Sequence, residues 1–145
     1  MKLYIVLLLS LFAGMFTANA QSPAPASVST DIARSSTDQL VAKYKLNADQ
    51  AKQMYQIQVR KQKNMAEIAV LKGSNNALYR EKVQHVQSGT LSSIRRILKT
   101  KEQVELYAKT QREVRSNRAA KRKELTVKKS SKEEIEDALL EVYSE

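Results

Sequence analysis

Apolar residues fall along this chain in runs at helical spacing, each opened by a short polar start. Ala51, Met54, Ile57, Met65, Ile68 and Leu71 recur three to four residues apart, with a gap at Lys61. That period places them on one face of an α-helix. The helix is predicted over residues 47–72, with Gly73 as its C-terminal stop. A second helix is predicted over about residues 76–98, where Tyr79, Val83, Val86, Thr90, Ile94 and Ile97 share a face. Gly89 weakens its middle, and a break at Ser88-Gly89 is the alternative. A third helix opens at Thr100 and carries Val104, Tyr107, Ala108, Gln111 and Val114 before its apolar face runs out. The expected fold class is therefore all-α.

The helix starts are the most informative local chemistry. In Leu46-Asn47-Ala48-Asp49-Gln50, the Asn47 oxygen can accept from the Gln50 N–H, and the Gln50 side chain can reach back to the Asn47 N–H. Asp49 sits in the first turn, where a carboxylate favours the positive end of the helix dipole. Leu98-Lys99-Thr100-Lys101-Glu102-Gln103 repeats the device, with Glu102 as the first-turn acid and Lys99 as an extra residue before the cap. Two like starts, opening the first and last of three helices, suggest a hairpin with pseudo-twofold character. Ser36-Thr37-Asp38-Gln39 reads as a further capping box, opening a short helix to about Lys45 that buries Leu40, Val41 and Tyr44. Ser131-Lys132-Glu133-Glu134 opens a short acidic amphipathic helix through Ile135, Ala138, Leu139 and Val142. That tail can fold back on the basic helix before it, pack on a partner subunit, or shield a site.

The N-terminus changes the picture of where the protein works. Met1-Lys2, an apolar run from Leu3 to Phe16 and the small-residue site Ala18-Asn19-Ala20 have the build of a secretory signal peptide. Cleavage is expected after Ala20. Residues 1–20 are then the signal peptide, residues 21–35 a flexible arm containing Pro23 and Pro25, residues 36–130 the helical domain and residues 131–145 the acidic tail. The formal charge is +10 and the chain has no cysteine, so no disulfide can staple it. Long helices or oligomerisation must supply the stability. Removal of Lys2 with the signal peptide leaves +9, which in an exported protein favours acidic polypeptides or an anionic envelope surface over nucleic acid.

No catalytic constellation is present. There is no nucleophile elbow, no phosphate-cradling glycine loop and no H-E-x-x-H. His85 is the only histidine, and with no cysteine it cannot build a usual zinc site by itself. The reading is a non-enzyme with no metal and no cofactor.

A signal peptide, a small basic helical chain and the paired elements Leu46-Asn47-Ala48-Asp49-Gln50 and Leu98-Lys99-Thr100-Lys101-Glu102-Gln103 resemble the Spy/CpxP family of periplasmic proteins. The likeness spans about residues 37–118, with Asn for Thr in the first element and Lys99 inserted in the second. It implies antiparallel helices forming a thin, curved homodimer. It also implies ATP-independent chaperone activity on unfolded or partly folded polypeptides, or a role in envelope-stress signalling. The candidate client-contacting residues are Met54, Ile57, Arg60, Lys61, Met65 and Ile68 on the first long helix, with Arg112 and Arg115 on the last. A basic, apolar-flecked surface attracts by charge and holds by small contacts, and unbranched methionine suits varied partners. The competing expectation is that the stripe residues form the hairpin core. Two other functions fit the composition: a Skp-like chaperone for outer-membrane proteins, and an envelope adaptor binding an anionic surface through residues 112–132.

Overall fold

The computed structural model describes residues 26–143. Their regular structure is entirely α-helical: α1 (Ala26–Tyr44), α2 (Ala48–Ala69), α3 (Asn76–Ile97), α4 (Lys101–Val127) and α5 (Lys132–Glu141). No helix among them is long and apolar enough to cross a membrane. The signal-peptide reading falls on residues 1–20, outside the described residues.

α1 packs on α2 across a three-residue connection, and α2 packs on α3 across the turn at residues 70–75. Short connections between packed neighbours make both pairs antiparallel hairpins. α4 touches α1, and α5 folds back to bridge α4 and α3. α3 and α4 meet near their shared corner, where the Tyr107 hydroxyl donates to the Leu91 carbonyl at 3.3 Å.

α1 is the main departure from expectation. It begins at Ala26, so much of the segment read as a flexible arm is helical. Ser36-Thr37-Asp38-Gln39 caps nothing, because it lies mid-helix. Thr37 instead donates its hydroxyl to the Ala33 carbonyl at 2.7 Å, a bond within the helix. Ala33, Thr37, Leu40 and Tyr44 are all buried, at alternating spacings of four and three. This is a coiled-coil-like seam. Two of its members are small or polar, which hid it from a search for strongly apolar positions.

The remaining helix starts follow their local chemistry. Asn47, Thr100 and Ser131 each form a complete capping box, with Gln50, Gln103 and Glu134. α1 and α4 both end with a left-handed lysine, Lys45 at φ 51° and Lys129 at φ 58°. In each case the next residue reaches back to close the end, Leu46 N–H to Val41 O and Ser130 N–H to Leu125 O, both at 3.0 Å.

The two described glycines have opposite roles. Gly73 adopts φ +91° in the turn, while Gly89 lies inside an unbroken α3, with open space where a Cβ would stand. The break considered at Ser88-Gly89 does not occur. Gly89→Ala is expected to stabilise the fold by about 0.5–1 kcal/mol, and Gly73→Ala to destabilise it by about 1 kcal/mol. Thermal melts followed by circular dichroism would show Tm moving up for the first and down for the second.

The core lies at the end of the bundle where α1 and α3 finish and α2 and α4 begin. Leu40, Tyr44, Leu46, Met54, Ile57, Ile94, Ile97 and Leu98 form it, with Val104, Leu106 and Tyr107 packed at its edge. The inserted Lys99 therefore does not cost Leu98 its place in the core. Tyr44 and Tyr107 lie 6.0 Å apart between ring centroids and tilted by 55°, a favourable aromatic arrangement.

Candidate functional site

The two glutamine elements meet. Gln50 and Gln103 are buried against each other in reciprocal hydrogen bonds: each side-chain amide donates to the other's oxygen at 2.9 Å. The second N–H of Gln50 goes to the Ile97 carbonyl at 2.7 Å, and that of Gln103 to the Lys45 carbonyl at 3.1 Å. Those carbonyls precede Leu98 and Leu46 respectively, so the pairing follows the pseudo-twofold relation of the motifs. Gln50 Oε1 also accepts from the Asn47 N–H at 3.0 Å. Gln103 Oε1 accepts from Lys99 and Thr100 N–H at 3.0 and 3.3 Å. The inserted Lys99 thus brings one extra donor, and the same oxygen takes it.

Every polar group of both amides is satisfied, which is the condition for burying them. Outside this pair, Lys45 Nζ meets Glu102 at 2.5 Å on the surface, so the first-turn acid also ties one corner to the other. Asp49 is exposed and, among the described residues, pairs with Lys52 at 3.6 Å on its own helix. The motif is structural: it locks two helix corners and thereby sets how α2, α3 and α4 present their outer faces.

The stripe residues divide between core and surface. Met54 is fully buried and Ile57 is 7% exposed, both inside the core. As packing residues of the α1–α2–α3 junction, they leave the set of candidate contact residues. Arg60 is exposed, Lys61, Met65 and Ile68 are half-buried, and Arg112 and Arg115 are exposed on α4.

Arg60 and Lys61 share a groove of about 270 Å³ between α2 and α3 with Asn64, His85, Ser93 and Arg96. The Ser93 hydroxyl accepts from Arg60 at 3.3 Å and from Arg96 at 2.9 Å, while donating to the Gly89 carbonyl at 2.9 Å. Among the described residues, neither guanidinium has a carboxylate within ion-pair distance. Two cations held on one neutral oxygen raise the local concentration of anions. Arg96 and Ser93 escaped the sequence reading because nothing local shows that α3 aims them at Arg60. His85 lies at the groove's rim with Glu81 at 3.7 Å. Among the described residues, no three His, Cys, Asp or Glu side chains gather as metal ligands would.

Met65 lines a second depression, with Tyr79 and Val83 of α3 and Leu140 of α5. α5 closes one side of it. Leu139 is buried at 3% exposure. Arg80 of α3, only 12% exposed in its side chain, reaches Asp137 at 3.2 Å and Glu136 at 3.6 Å. Arg118 of α4 donates to the Leu139 carbonyl at 2.6 Å, at the negative end of the α5 dipole. Gln87 donates to the Leu140 carbonyl at 2.9 Å, the Tyr143 hydroxyl donates to the Gln87 carbonyl, and Lys61 Nζ stands 5.2 Å from the Tyr143 ring centre. The tail folds back on α4 and α3, the first of the three expectations for it.

Further along α4, Glu124 is held below the usual carboxylate range. The hydrogen bond from Lys128 is the largest cause, followed by that from Lys121. This local pairing relieves part of the basic tract. Arg112 and Arg115 have no such carboxylate partner among the described residues.

No known family model, curated protein or solved structure matches this chain.

Proposed function

We propose that this protein is an exported, ATP-independent binder of unfolded or partly folded polypeptides, a holdase-type periplasmic chaperone or envelope-stress adaptor of the Spy/CpxP kind that works as a homodimer. The observation that carries the reading is the α2–α3 groove, where Arg60 and Arg96 converge on Ser93 with no carboxylate of a described residue at ion-pair distance. Acidic side chains of a client satisfy them, and half-buried Met65 and Ile68 farther along α2 offer adaptable apolar contact. Lys61 beside the groove and Arg112 and Arg115 on α4 extend the attraction by charge. Small, scattered apolar contacts hold weakly, as a carrier that must release its cargo requires.

The test adds purified mature protein, without nucleotide, to a chemically denatured client diluted into low or moderate salt. Aggregation should be suppressed at a few-fold excess, and less so at moderate salt, because exposed charges are screened beyond about 8–10 Å at physiological ionic strength. Unchanged aggregation in both buffers rejects the reading. Arg60→Glu with Arg96→Glu should remove the larger share of the salt-sensitive part, the remainder coming from Lys61, Arg112 and Arg115. Light scattering of the same sample should give twice the monomer mass.

A further inference from the structure

We propose that the cleft between α3 and α4 is a receptor for an acidic amphipathic helix of a partner protein, and that α5 is the internal copy of that ligand. This deepens the proposed function and rests on its premise that the chain receives polypeptides. α5 displays what the cleft recognises. Its acids Glu136 and Asp137 face Arg80, which is largely withdrawn from water. Its carbonyl end meets Arg118, a cation placed where a helix of this direction carries negative charge. Its one buried side chain, Leu139, lines the same depression as these two arginines. Together these contacts specify charge, direction and an apolar anchor.

The seat is also built to be vacated. α5 has ten residues, too few for a stable isolated helix, and a single buried anchor. Its ion pairs lie mostly at the surface on the acid side, with Glu136 and Asp137 side chains 41% and 55% exposed. The turn at residues 128–131 tethers it at high effective concentration. A partner helix of like pattern but longer apolar face competes by exchanging one set of acids for another. Displacement uncovers Arg80, Arg118 and the Leu139 seat, on the side of α3 that adjoins the Met65 depression.

The experiment uses the full chain and a fluorescein-labelled peptide with the sequence of residues 131–143, read by fluorescence anisotropy. Wild type should bind it weakly, because α5 occupies the seat. Leu139→Asp should release α5 and tighten peptide binding at least tenfold. Glu136→Lys with Asp137→Lys, which alters only surface acids, should tighten it in the same direction. Arg80→Glu with Arg118→Glu in either background should remove binding, and a peptide with its acids changed to lysine should not bind. Circular dichroism confirms that each variant is folded. Equal affinity for wild type and both released variants, or binding indifferent to Arg80 and Arg118, would overturn the proposal. So would a wild-type dimer that the peptide converts to monomer, since the natural occupant would then be a second copy of this chain. Peptide binding and suppression of client aggregation are separate readouts, so either can fail while the other holds.

Discussion

Gln103→Leu is expected to destabilise the protein by about 3 kcal/mol, although leucine is the more apolar side chain and the site is 4% exposed. The amide of Gln103 makes two hydrogen bonds to Gln50, which is buried, and a third to the Lys45 carbonyl. Gln50 loses both a donor and an acceptor, and the Lys45 carbonyl loses its donor. A buried polar group left unsatisfied costs about 1–3 kcal/mol, so two such losses set the magnitude. The Lys99 and Thr100 N–H groups lose their acceptor too, but those residues are exposed and water can replace it. Gln50→Leu should cost about as much, since it strands the Gln103 amide and the Ile97 carbonyl. The double variant separates pairing from simple burial. With both amides replaced, neither strands the other, so the combined cost should fall below the sum of the single costs by at least about 1 kcal/mol. Urea unfolding of the four proteins, monitored at 222 nm, gives the coupling directly. Additivity within about 0.5 kcal/mol would mean that the two glutamines act as independent caps and that the corners are not locked together.

The same pair shows what is readable along the chain and what is not. Capping is local chemistry, so Asn47, Thr100 and Ser131 mark α2, α4 and α5 without any knowledge of the fold. The repeat of the device even suggests a pseudo-twofold arrangement. What stays hidden is that glutamine, ordinarily a surface residue, is buried here because a second glutamine completes it. α1 is obscured for a related reason. Its seam uses Ala33 and Thr37 as well as Leu40 and Tyr44, and small or polar residues carry little apolar signal. In the groove, Arg60 is legible as a surface cation on α2. Its convergence with Arg96 on Ser93 depends on the register of α2 against α3, which core packing decides. Leu139 is likewise legible as one of an apolar set on α5, but its seat is assembled from residues more than twenty positions away.

Met54 and Met65 lie on the same helix, three turns apart, and the identical substitution should part them. Met54→Ala should lower stability by about 3 kcal/mol, within the 2–5 kcal/mol usual for truncating a fully buried side chain. Met54 has no exposed surface and belongs to the cluster that α1, α2 and α3 share, so the cavity left there cannot collapse without moving a helix. Met65 is half-buried beside Tyr79 and Val83, in a depression that opens outward. Met65→Ala should cost no more than about 1 kcal/mol, because water or a shifted neighbour can fill the space. Client capture should reverse the order. Assayed at a low temperature where both variants are folded by circular dichroism, Met54→Ala should suppress aggregation as wild type does. Met65→Ala should need about threefold more protein for the same effect, the consequence of losing roughly 0.7 kcal/mol of apolar contact. Undiminished capture by Met65→Ala together with impaired capture by folded Met54→Ala would show that clients bind by opening the core, rather than on the outer face that the core holds in place.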